Sequence, residues 1–303
     1  MELEINNLSV FFDMYGKKKN VNVISDLSLK ARKGEILAVV GASGSGKSVL
    51  AHAIMGILPK NAVVTGDIYY RGEKITENTI KEMRGKNISL LPQSTSYLDP
   101  IMKVGSQVAL GKNESFVSKM KKAFKKYDLS EADENLYPFQ YSGGMIRRAL
   151  LSTVEQTEPT VIIADEPTPG LDRDLAYKTL RYFRDFADKG KAVIIITHDI
   201  DIASEYADRL AVFYSGTIVE ITKAENFLKG EKYLKHPYTK ALFKSLPQNG
   251  FVVESGVNPF LGQFKSKCVY FDKCQKACEK CSLDIPVWNF PDDSGFVRCV
   301  YEA

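Results

Sequence analysis

Short apolar runs alternate with amphipathic stretches along much of this 303-residue chain. Three of these runs, at residues 35–40, 161–164 and 192–196, have the length of strands that are buried on both faces. Between the second run and the third, residues 175–189 have the apolar spacing of a helix. This alternation predicts an α/β fold in which the central strands are parallel.

Other parts of the chain have different patterns. Alternating apolar and polar positions over residues 3–10 and 21–29 predict strands near the N-terminus, and the glycine-bounded residues 66–72 predict another. Residues 105–157 are rich in lysine, glutamate and alanine, which predicts helices. Pro247–Gly250 is the best linker, and the composition of the chain after it predicts a short, loop-like tail.

The composition is that of an ordinary soluble globular protein, with 44% hydrophobic and 26% charged residues. The apolar runs are much shorter than the roughly 18 residues of a transmembrane helix, and we expect no signal peptide. A net charge of +4 is too small to indicate nucleic-acid binding. The lysines of residues 119–126 predict a solvated helix face, with contact to an acidic partner or an anionic membrane surface as the alternative.

The glycine-rich residues Gly41–Ser48 lie between the first buried strand and a predicted helix. This is the context of a P-loop, in which backbone amides and a helix N-terminus surround a phosphate group. We expect Lys47 to reach the β- and γ-phosphates and Ser48 to coordinate Mg²⁺. The motif therefore predicts a site for a nucleoside triphosphate.

Polar side chains follow the two other buried strands. Asp165 and Glu166 come at the end of the second strand. In a P-loop protein, Asp165 is placed to hold Mg²⁺ and Glu166 to orient or deprotonate the attacking water. His198 ends the third strand. Because ligands bind at the carboxyl ends of parallel strands, we expect His198 to hydrogen-bond the γ-phosphate.

A second serine–glycine turn, Ser142–Gly144, precedes another predicted helix. Its amides and hydroxyl predict a second anion site at the start of that helix. One nucleotide seldom needs two phosphate cradles from the same chain. We therefore expect this turn, called the signature turn below, to contact a nucleotide that another subunit holds.

Together these motifs resemble those of the nucleotide-binding subunit of an ATP-binding cassette (ABC) transporter, over roughly residues 1–246. The resemblance implies a P-loop NTPase of the α/β class, with a mixed-sheet core and an antiparallel β subdomain. It also implies a helical subdomain at about residues 94–158, which carries the signature turn, and a short cysteine-rich extension at residues 247–303. The implied ligands are ATP and Mg²⁺.

The resemblance also implies the roles of individual residues. It implies that Gln93 is a further Mg²⁺ ligand and lies in a loop that also links to the membrane subunit. It also implies that Phe12 stacks on adenine, with Phe11 or Tyr15 as alternatives. The residues implied in catalysis are Glu166, His198 and Lys47, and those implied to hold Mg²⁺ are Ser48, Gln93 and Asp165. The residues implied to contact nucleotide are Phe12, Gly41, Ser43, Gly44, Gly46, Lys47, Ser48, Val49 and Gln93, and, across the dimer, Ser142, Gly143, Gly144 and Asp172.

A narrower resemblance is to the dipeptide, oligopeptide and nickel importer branch. It rests on Met145, on residues 163–168 and 236–242, and on a cysteine-bearing tail. It implies an ATPase that powers uptake of di- or oligopeptides or nickel (free or chelated), bound peripherally at the cytoplasmic face of the membrane. The implied partners are a second, different ATPase subunit, two transmembrane permease subunits and, indirectly, an extracytoplasmic solute-binding protein. Nucleic acid is not among them.

A few positions depart from that pattern. Tyr141 replaces a leucine, Arg147 replaces a glutamine, and Pro169–Asp172 replaces Ser-Ala-Leu-Asp, all in regions that bear on communication across the dimer. The alternative function is a soluble, non-transport ABC ATPase of the DNA repair or translation type. It is disfavoured because Lys47 and Asp165 lie in one compact domain without a heptad array, and because the chain carries one cassette.

Five cysteines lie in the C-terminal extension, at Cys268, Cys274, Cys278, Cys281 and Cys299. A cytosolic protein keeps its thiols reduced, so we expect no disulfide framework. The thiolates could bind a 4Fe–4S cluster or a structural Zn²⁺ ion, or remain free. The resemblance favours the cluster, held by Cys268, Cys274, Cys281 and Cys299, with Cys278 as an additional or alternative ligand.

Overall fold

The computed structural model describes residues 1–13, 20–94, 97–111, 113–252 and 267–301. Its strands are β1 (Leu3–Phe12), β2 (Val21–Ala31), β3 (Ile36–Val40), β4 (Ala62–Tyr70), β5 (Glu73–Lys74), β6 (Ile88–Leu91), β7 (Val161–Asp165), β8 (Ala192–Thr197), β9 (Arg209–Tyr214), β10 (Thr217–Lys223), β11 (Val287–Asn289) and β12 (Phe296–Arg298). Its α-helices are α1 (Lys47–Met55), α2 (Glu77–Met83), α3 (Val104–Ala109), α4 (Glu114–Lys126), α5 (Gly143–Thr157), α6 (Arg173–Asp188), α7 (Ile200–Tyr206), α8 (Ala224–Lys229) and α9 (Pro237–Lys244).

The larger sheet is mixed and has the strand order β11-β12-β10-β9-β3-β8-β7-β6. The strands from β9 to β6 are parallel, whereas β10, β12 and β11 pair antiparallel. Every residue of β3, β7 and β8 is buried. Successive residues of a strand face opposite sides, so Leu37 and Val39 enter one core cluster and Ala38 and Val40 another. The predicted parallel α/β core is confirmed.

The smaller sheet is antiparallel, with the order β2-β1-β4-β5. Its apolar side chains, including Leu3, Leu8 and Leu27, share one core cluster with Leu50 and Ile54 of α1. Burial of these side chains against the helix that follows the P-loop holds the two sheets together. The antiparallel β subdomain is therefore confirmed.

Helices α3, α4 and α5 form a helical subdomain with a core of its own. That core consists of Leu98, Val104, Val108, Ala109, Met120, Phe124, Leu129, Tyr141, Ile146 and Ala149. The Tyr141 hydroxyl donates to the Asp133 carbonyl at 2.8 Å, which accommodates a phenol at a position where the resemblance implies leucine. Lys119 and Lys126 pair with acidic side chains at the end of α5, whereas Lys122 and Lys125 are exposed on the predicted solvated face of α4. No helix among the described residues is long and apolar enough to cross a bilayer.

Residues 236–242, which carry part of the narrower resemblance, anchor α9 to the central sheet. His236 is buried, and its Nδ1 accepts a hydrogen bond from the Tyr238 amide at 3.0 Å, which caps α9. The carboxylate of the buried Glu220, on β10, accepts the His236 amide at 2.8 Å. Burial lowers the pKa of His236 to about 3. Burial also raises the pKa of Glu220, although hydrogen bonds to its carboxylate oppose this.

The described residues after 246 contain more regular structure than the composition of this region predicts. Residues 247–249 form a single 3₁₀ turn, but further on β12 pairs with β10 and β11 pairs with β12. Arg298 donates to the Asp26 carboxylate at 2.8 Å and to the Asp26 carbonyl at 3.0 Å. The expectation of a loop-like tail is wrong only for β11 and β12, because β12 completes hydrogen bonds that the edge of β10 offers. The domain boundary after residue 246 stays a prediction.

Candidate functional site

Four parallel strands end at one edge of the central sheet. The P-loop follows β3, and His198 follows the neighbouring strand β8. Glu166 follows β7, and Gln93 lies two residues beyond the end of β6. Open parallel sheets bind ligands at the carboxyl ends of their strands. The structure therefore brings these four predicted motifs to the same edge, although they are far apart in the sequence.

The glycines of the P-loop are required by what surrounds them. A Cβ atom on Gly41 would lie 2.2 Å from the carbonyl oxygen of Phe213 on β9. Gly46 has a φ of 107° and precedes α1, and the Val23 side chain of β2 approaches it closely. The chain can thus turn directly from β3 into α1, whose first amides lack intrahelical acceptors and can bind an anion.

Lys47 is positioned for a phosphate. Its side chain is 4% exposed, and Nζ donates to the carbonyls of Gly41 at 2.8 Å and Ala42 at 2.9 Å. Burial lowers the pKa of Lys47, and the charges of Glu166 and Asp165 partly oppose this. Among the described residues, the recorded hydrogen bonds of its ammonium go to these two carbonyls. A buried ammonium that is bonded to carbonyls alone is suited to an incoming anionic ligand.

Two of the expected magnesium ligands are in contact. Ser48 Oγ donates to Asp165 Oδ1 at 3.1 Å. Burial raises the pKa of Asp165, and the hydrogen bond from Ser48 works against this. Gln93, the third expected ligand, is exposed after β6. A hydroxyl and a carboxylate are oxygen ligands that Mg²⁺ accepts beside nucleotide phosphates, so the donor set fits the ion.

Glu166 and His198 form a pair at the ends of β7 and β8. Glu166 Oε1 and His198 Nδ1 are 2.9 Å apart, and the Glu166 amide donates to the Ile196 carbonyl at 2.8 Å. Glu166 has a φ of 47°, a conformation that non-glycine residues adopt rarely and that occurs often at functional sites. Its other oxygen, Oε2, is buried without a hydrogen-bond partner among the described residues. That oxygen is available to bind a water molecule.

The signature turn lies on the surface of the helical subdomain. Ser142 caps α5 by accepting the Met145 amide at 3.3 Å, and Ser142 and Gly143 are exposed. Asp172 is also exposed, and it caps α6 by accepting the Leu175 amide at 2.9 Å. The most extensive contacts of α5 are to α3, α4 and β6, and its Leu151 and Val154 share a core cluster with α6. The structure therefore shows cap roles for Ser142 and Asp172, and among the described residues neither side chain has a recorded hydrogen bond to the P-loop.

The remaining predicted contacts with nucleotide differ in exposure. Ser43 and Gly44 are exposed at the tip of the P-loop. Val49 and Phe12 are partly buried and pack against the main core cluster. Phe12 is at the end of β1, and Tyr15, an alternative for adenine stacking, lies outside the described residues.

Sequence reasoning missed the residues that pack against the P-loop glycines and bond to the Glu166 backbone. Phe213 sets the need for Gly41, Val23 confines Gly46, and the Ile196 carbonyl fixes the Glu166 amide. Each of them lies on a strand remote in sequence from the group that it holds. Only the register of the sheet brings them together, so no local pattern could have indicated them.

The cysteine tail brings several thiols near one another. Cys278 Sγ and Cys281 Sγ are 3.8 Å apart, and the Cys268 amide donates to the Cys281 carbonyl at 3.1 Å. Burial raises the pKa of Cys268 to about 11, and the nearby Cys281, Cys274 and Cys299 raise it further. Throughout the described ranges, however, no group of three or more His, Cys, Asp and Glu side chains could hold a metal ion. The described residues thus give no independent support to a metal at these cysteines, whether a 4Fe–4S cluster or a single Zn²⁺ ion.

Two family models match the chain. The ABC transporter model matches residues 24–169, which include the P-loop, the signature turn and the Asp165-Glu166 pair. The model for the C-terminal region of oligopeptide/dipeptide transporters matches residues 219–281. The second match begins before the predicted domain boundary and takes in most of β10, all of α9 and four of the cysteines.

Curated relatives match over nearly the whole chain. The dipeptide transport ATP-binding protein DppD of Bacillus subtilis is 35% identical over 98% of this chain and 93% of its own length. The oligopeptide transport ATP-binding protein AppD of the same organism is 30% identical over 99% of this chain and 97% of its own length. Among solved structures, the dimeric bacterial ABC transporter cassette MJ0796 has a TM-score of 0.66 at 23% identity, covering 73% of this chain and 98% of that one.

Proposed function

We propose a transport function for this chain, which belongs to the family of ABC transporter ATP-binding proteins and, within it, to the oligopeptide/dipeptide branch. The chain is an ABC-type ATPase. In our proposal it hydrolyses ATP to drive uptake of di- or oligopeptides through separate membrane subunits. The observation that carries the proposal is the convergence of Lys47, Asp165, Glu166 and His198 at one edge of the sheet.

In the proposed mechanism, each group at this edge has one task. The buried ammonium of Lys47 binds the β- and γ-phosphates. Ser48, Asp165 and Gln93 would hold Mg²⁺, which would neutralise phosphate charge. Glu166 accepts a proton from the attacking water on its unpartnered oxygen, and His198 fixes the other oxygen. The cleaved products are ADP and inorganic phosphate.

A second cassette completes the site in this proposal. Two cassettes close head to tail, so that the signature turn of each covers the P-loop of the other. Support comes from exposure, because Ser142 and Gly143 are open to solvent and so are Ser43 and Gly44 at the tip of the P-loop. We infer that the partner is a different ATPase subunit, as the resemblance implies.

The surface next to Gln93 supports docking to membrane subunits. Tyr97, Ile101 and Met102 follow this residue, and they are 53%, 85% and 45% exposed. Exposed apolar side chains that cluster in sequence are typical of a protein interface. In our proposal this surface docks to one of the two permease subunits at the cytoplasmic face of the membrane, and the extracytoplasmic binding protein contacts only the permease subunits.

Uptake by the assembled transporter tests the function and its cargo. Vesicles that carry the wild-type chain are compared with Glu166→Gln and with a matched control, Glu82→Gln, which alters an exposed glutamate of α2. We expect uptake of labelled di- or oligopeptide with the wild type and the control but not with Glu166→Gln. The relatives are named for dipeptide and oligopeptide transport, which favours peptide over nickel. Uptake of radioactive nickel in place of peptide would overturn the cargo, and uptake that survives Glu166→Gln would overturn the role of Glu166.

For the tail, we propose a 4Fe–4S cluster held by Cys268, Cys274, Cys281 and Cys299. Their mutual influence on thiol pKa values supports it, because such effects require nearby sulfurs. Iron and sulfide analysis of the anaerobically purified chain tests this. Zinc in place of iron, or neither metal, would overturn it.

A further inference from the structure

Cys278 and Cys281 form a vicinal pair of thiols in the tail. Their Sγ atoms are 3.8 Å apart, and the Cys281 amide donates to the Cys278 carbonyl at 2.9 Å. Cys278 is the residue before a short 3₁₀ helix, Glu279–Ser282, so local backbone structure sets the separation. The Tyr301 side chain hydrogen-bonds to the Cys278 sulfur, which holds the outer thiol in place.

The two thiols differ in accessibility. Cys278 is partly exposed, whereas Cys281 is 5% exposed. A reagent in solution therefore meets Cys278 first, with Cys281 within reach behind it. Pairs with the Cys-x-x-Cys spacing exchange disulfides in this way, one thiol attacking from the surface and the second resolving the product.

We propose that Cys278 and Cys281 are a redox-active dithiol that low-molecular-weight disulfides oxidise and thiols restore. The Cys278 thiol loses its proton and its sulfur attacks one sulfur of the reagent, which forms a mixed disulfide and releases the first reagent thiol. The Cys281 sulfur, after losing its own proton, attacks the Cys278 sulfur and displaces the second reagent thiol. The protein dithiol loses two electrons and two protons, and the disulfide reagent gains them.

The dithiol competes with the proposed cluster for one sulfur. Cys281 belongs to the set of four cluster ligands, whereas Cys278 is the fifth cysteine. A sulfur in a disulfide is no longer a thiolate and cannot ligate iron. The oxidised tail and the cluster-bearing tail are therefore alternative states. The dithiol proposal needs neither a cluster nor ATP hydrolysis, and it can fail without affecting the proposed function.

The sequence around the cysteines allows a direct test. Trypsin cleaves after Lys267, Lys273, Lys276, Lys280 and Arg298, so each of the five cysteines falls in its own peptide. The full chain is purified anaerobically, freed of metal with a chelator, incubated with glutathione disulfide, alkylated and digested. We expect peptides 277–280 and 281–298 to be joined, with a mass about 2 Da below the sum of the reduced peptides.

Three variants separate the two steps. Cys281→Ser should accumulate a glutathione adduct on Cys278, about 305 Da heavier than the unmodified peptide. Cys278→Ser should leave the buried Cys281 unmodified, whereas Cys274→Ser, the matched control, should still give the joined peptides. The proposal is overturned if the wild type gives no joined pair, if Cys281 reacts as fast in Cys278→Ser as Cys278 does in Cys281→Ser, or if other cysteine peptides are joined equally.

Discussion

The candidate nucleotide site and the cysteine tail are constructed in opposite ways. At the sheet edge, the functional groups come from strand ends that are remote in sequence, and the fully buried strands β3, β7 and β8 fix their positions. In the tail, the cysteines are close in sequence and depend on short turns and two three-residue strands, of which β11 is exposed. In the nucleotide site, packing of the core fixes the positions of the functional groups. In the tail, local backbone structure fixes the positions of the cysteines. Substitutions should therefore affect the two regions differently.

The largest effect is expected at Glu166. Replacing it with glutamine removes the proton acceptor but keeps the side-chain volume, so hydrolysis by the assembled complex should fall about 10²- to 10⁴-fold. ATP binding, measured by equilibrium dialysis, should persist. Glu82→Gln on the surface of α2 is the control. Unchanged turnover in Glu166→Gln would remove the basis for treating this edge as the reactive centre.

Lys47→Met should weaken binding as well as hydrolysis. The ammonium supplies charge-assisted hydrogen bonds to phosphate, and their loss should weaken ATP binding about 10- to 150-fold. Calorimetric titration of the purified chain measures the change. Lys60→Met, at an exposed position beyond α1, should bind ATP like the wild type. Equal affinities in all three proteins would contradict the assignment of Lys47.

His236 should make stability depend on pH, away from the nucleotide site. Its pKa is about 3 in the folded chain, so acidification protonates it only after unfolding. The contribution of His236 to the free energy of unfolding is therefore fully present above the pKa of about 6.5 that the residue has in the unfolded chain. As the pH falls below that value the contribution is lost, by about 2 kcal/mol between roughly pH 7 and pH 5.

Urea unfolding at several pH values tests this against His236→Gln. In that variant the histidine contribution to the pH dependence should disappear. If both chains lose the same free energy of unfolding on acidification, other groups are responsible.

The smallest effect is expected where the tail meets β2. Arg298→Met removes the bonds to Asp26, but the pair is partly exposed, so the free energy of unfolding should fall by only about 1 kcal/mol. ATP affinity should not change, since Arg298 contacts none of the proposed nucleotide ligands. Lys280→Met, exposed in the tail, is the comparison variant. A large loss of ATP affinity in Arg298→Met would show that the two regions are coupled.

Sequence reasoning succeeded where a motif adjoins a strand. The P-loop, Asp165 with Glu166, and His198 each follow an apolar run, and strand ends in a parallel sheet meet by construction. The helices of residues 105–157 were predictable from their lysine-, glutamate- and alanine-rich composition, and the helical subdomain was implied by the resemblance. Both signals are contained in contiguous residues.

Other features depend on contacts that no short segment encodes. The sequence does not show that Glu166 has a positive φ. The Glu166 amide bonds to the Ile196 carbonyl on another strand, and no pattern near Glu166 indicates that contact. It also does not show that Phe296–Arg298 joins the central sheet, because a three-residue strand is too short for a periodic pattern. The separation of the Cys278 and Cys281 sulfurs likewise depends on a local 3₁₀ turn.

The pairing of β12 with β10 has a consequence for handling the protein. With the tail in place, β10 has a partner on each side, β9 and β12. A chain cut at the predicted boundary after residue 246 would leave Glu220 and Ile221 with unpaired backbone groups on a nearly fully buried strand. Such an edge is a template for strand addition between molecules. The shortened chain should therefore self-associate, and recombinant work on the ATPase should retain the tail even where no cysteine is of interest.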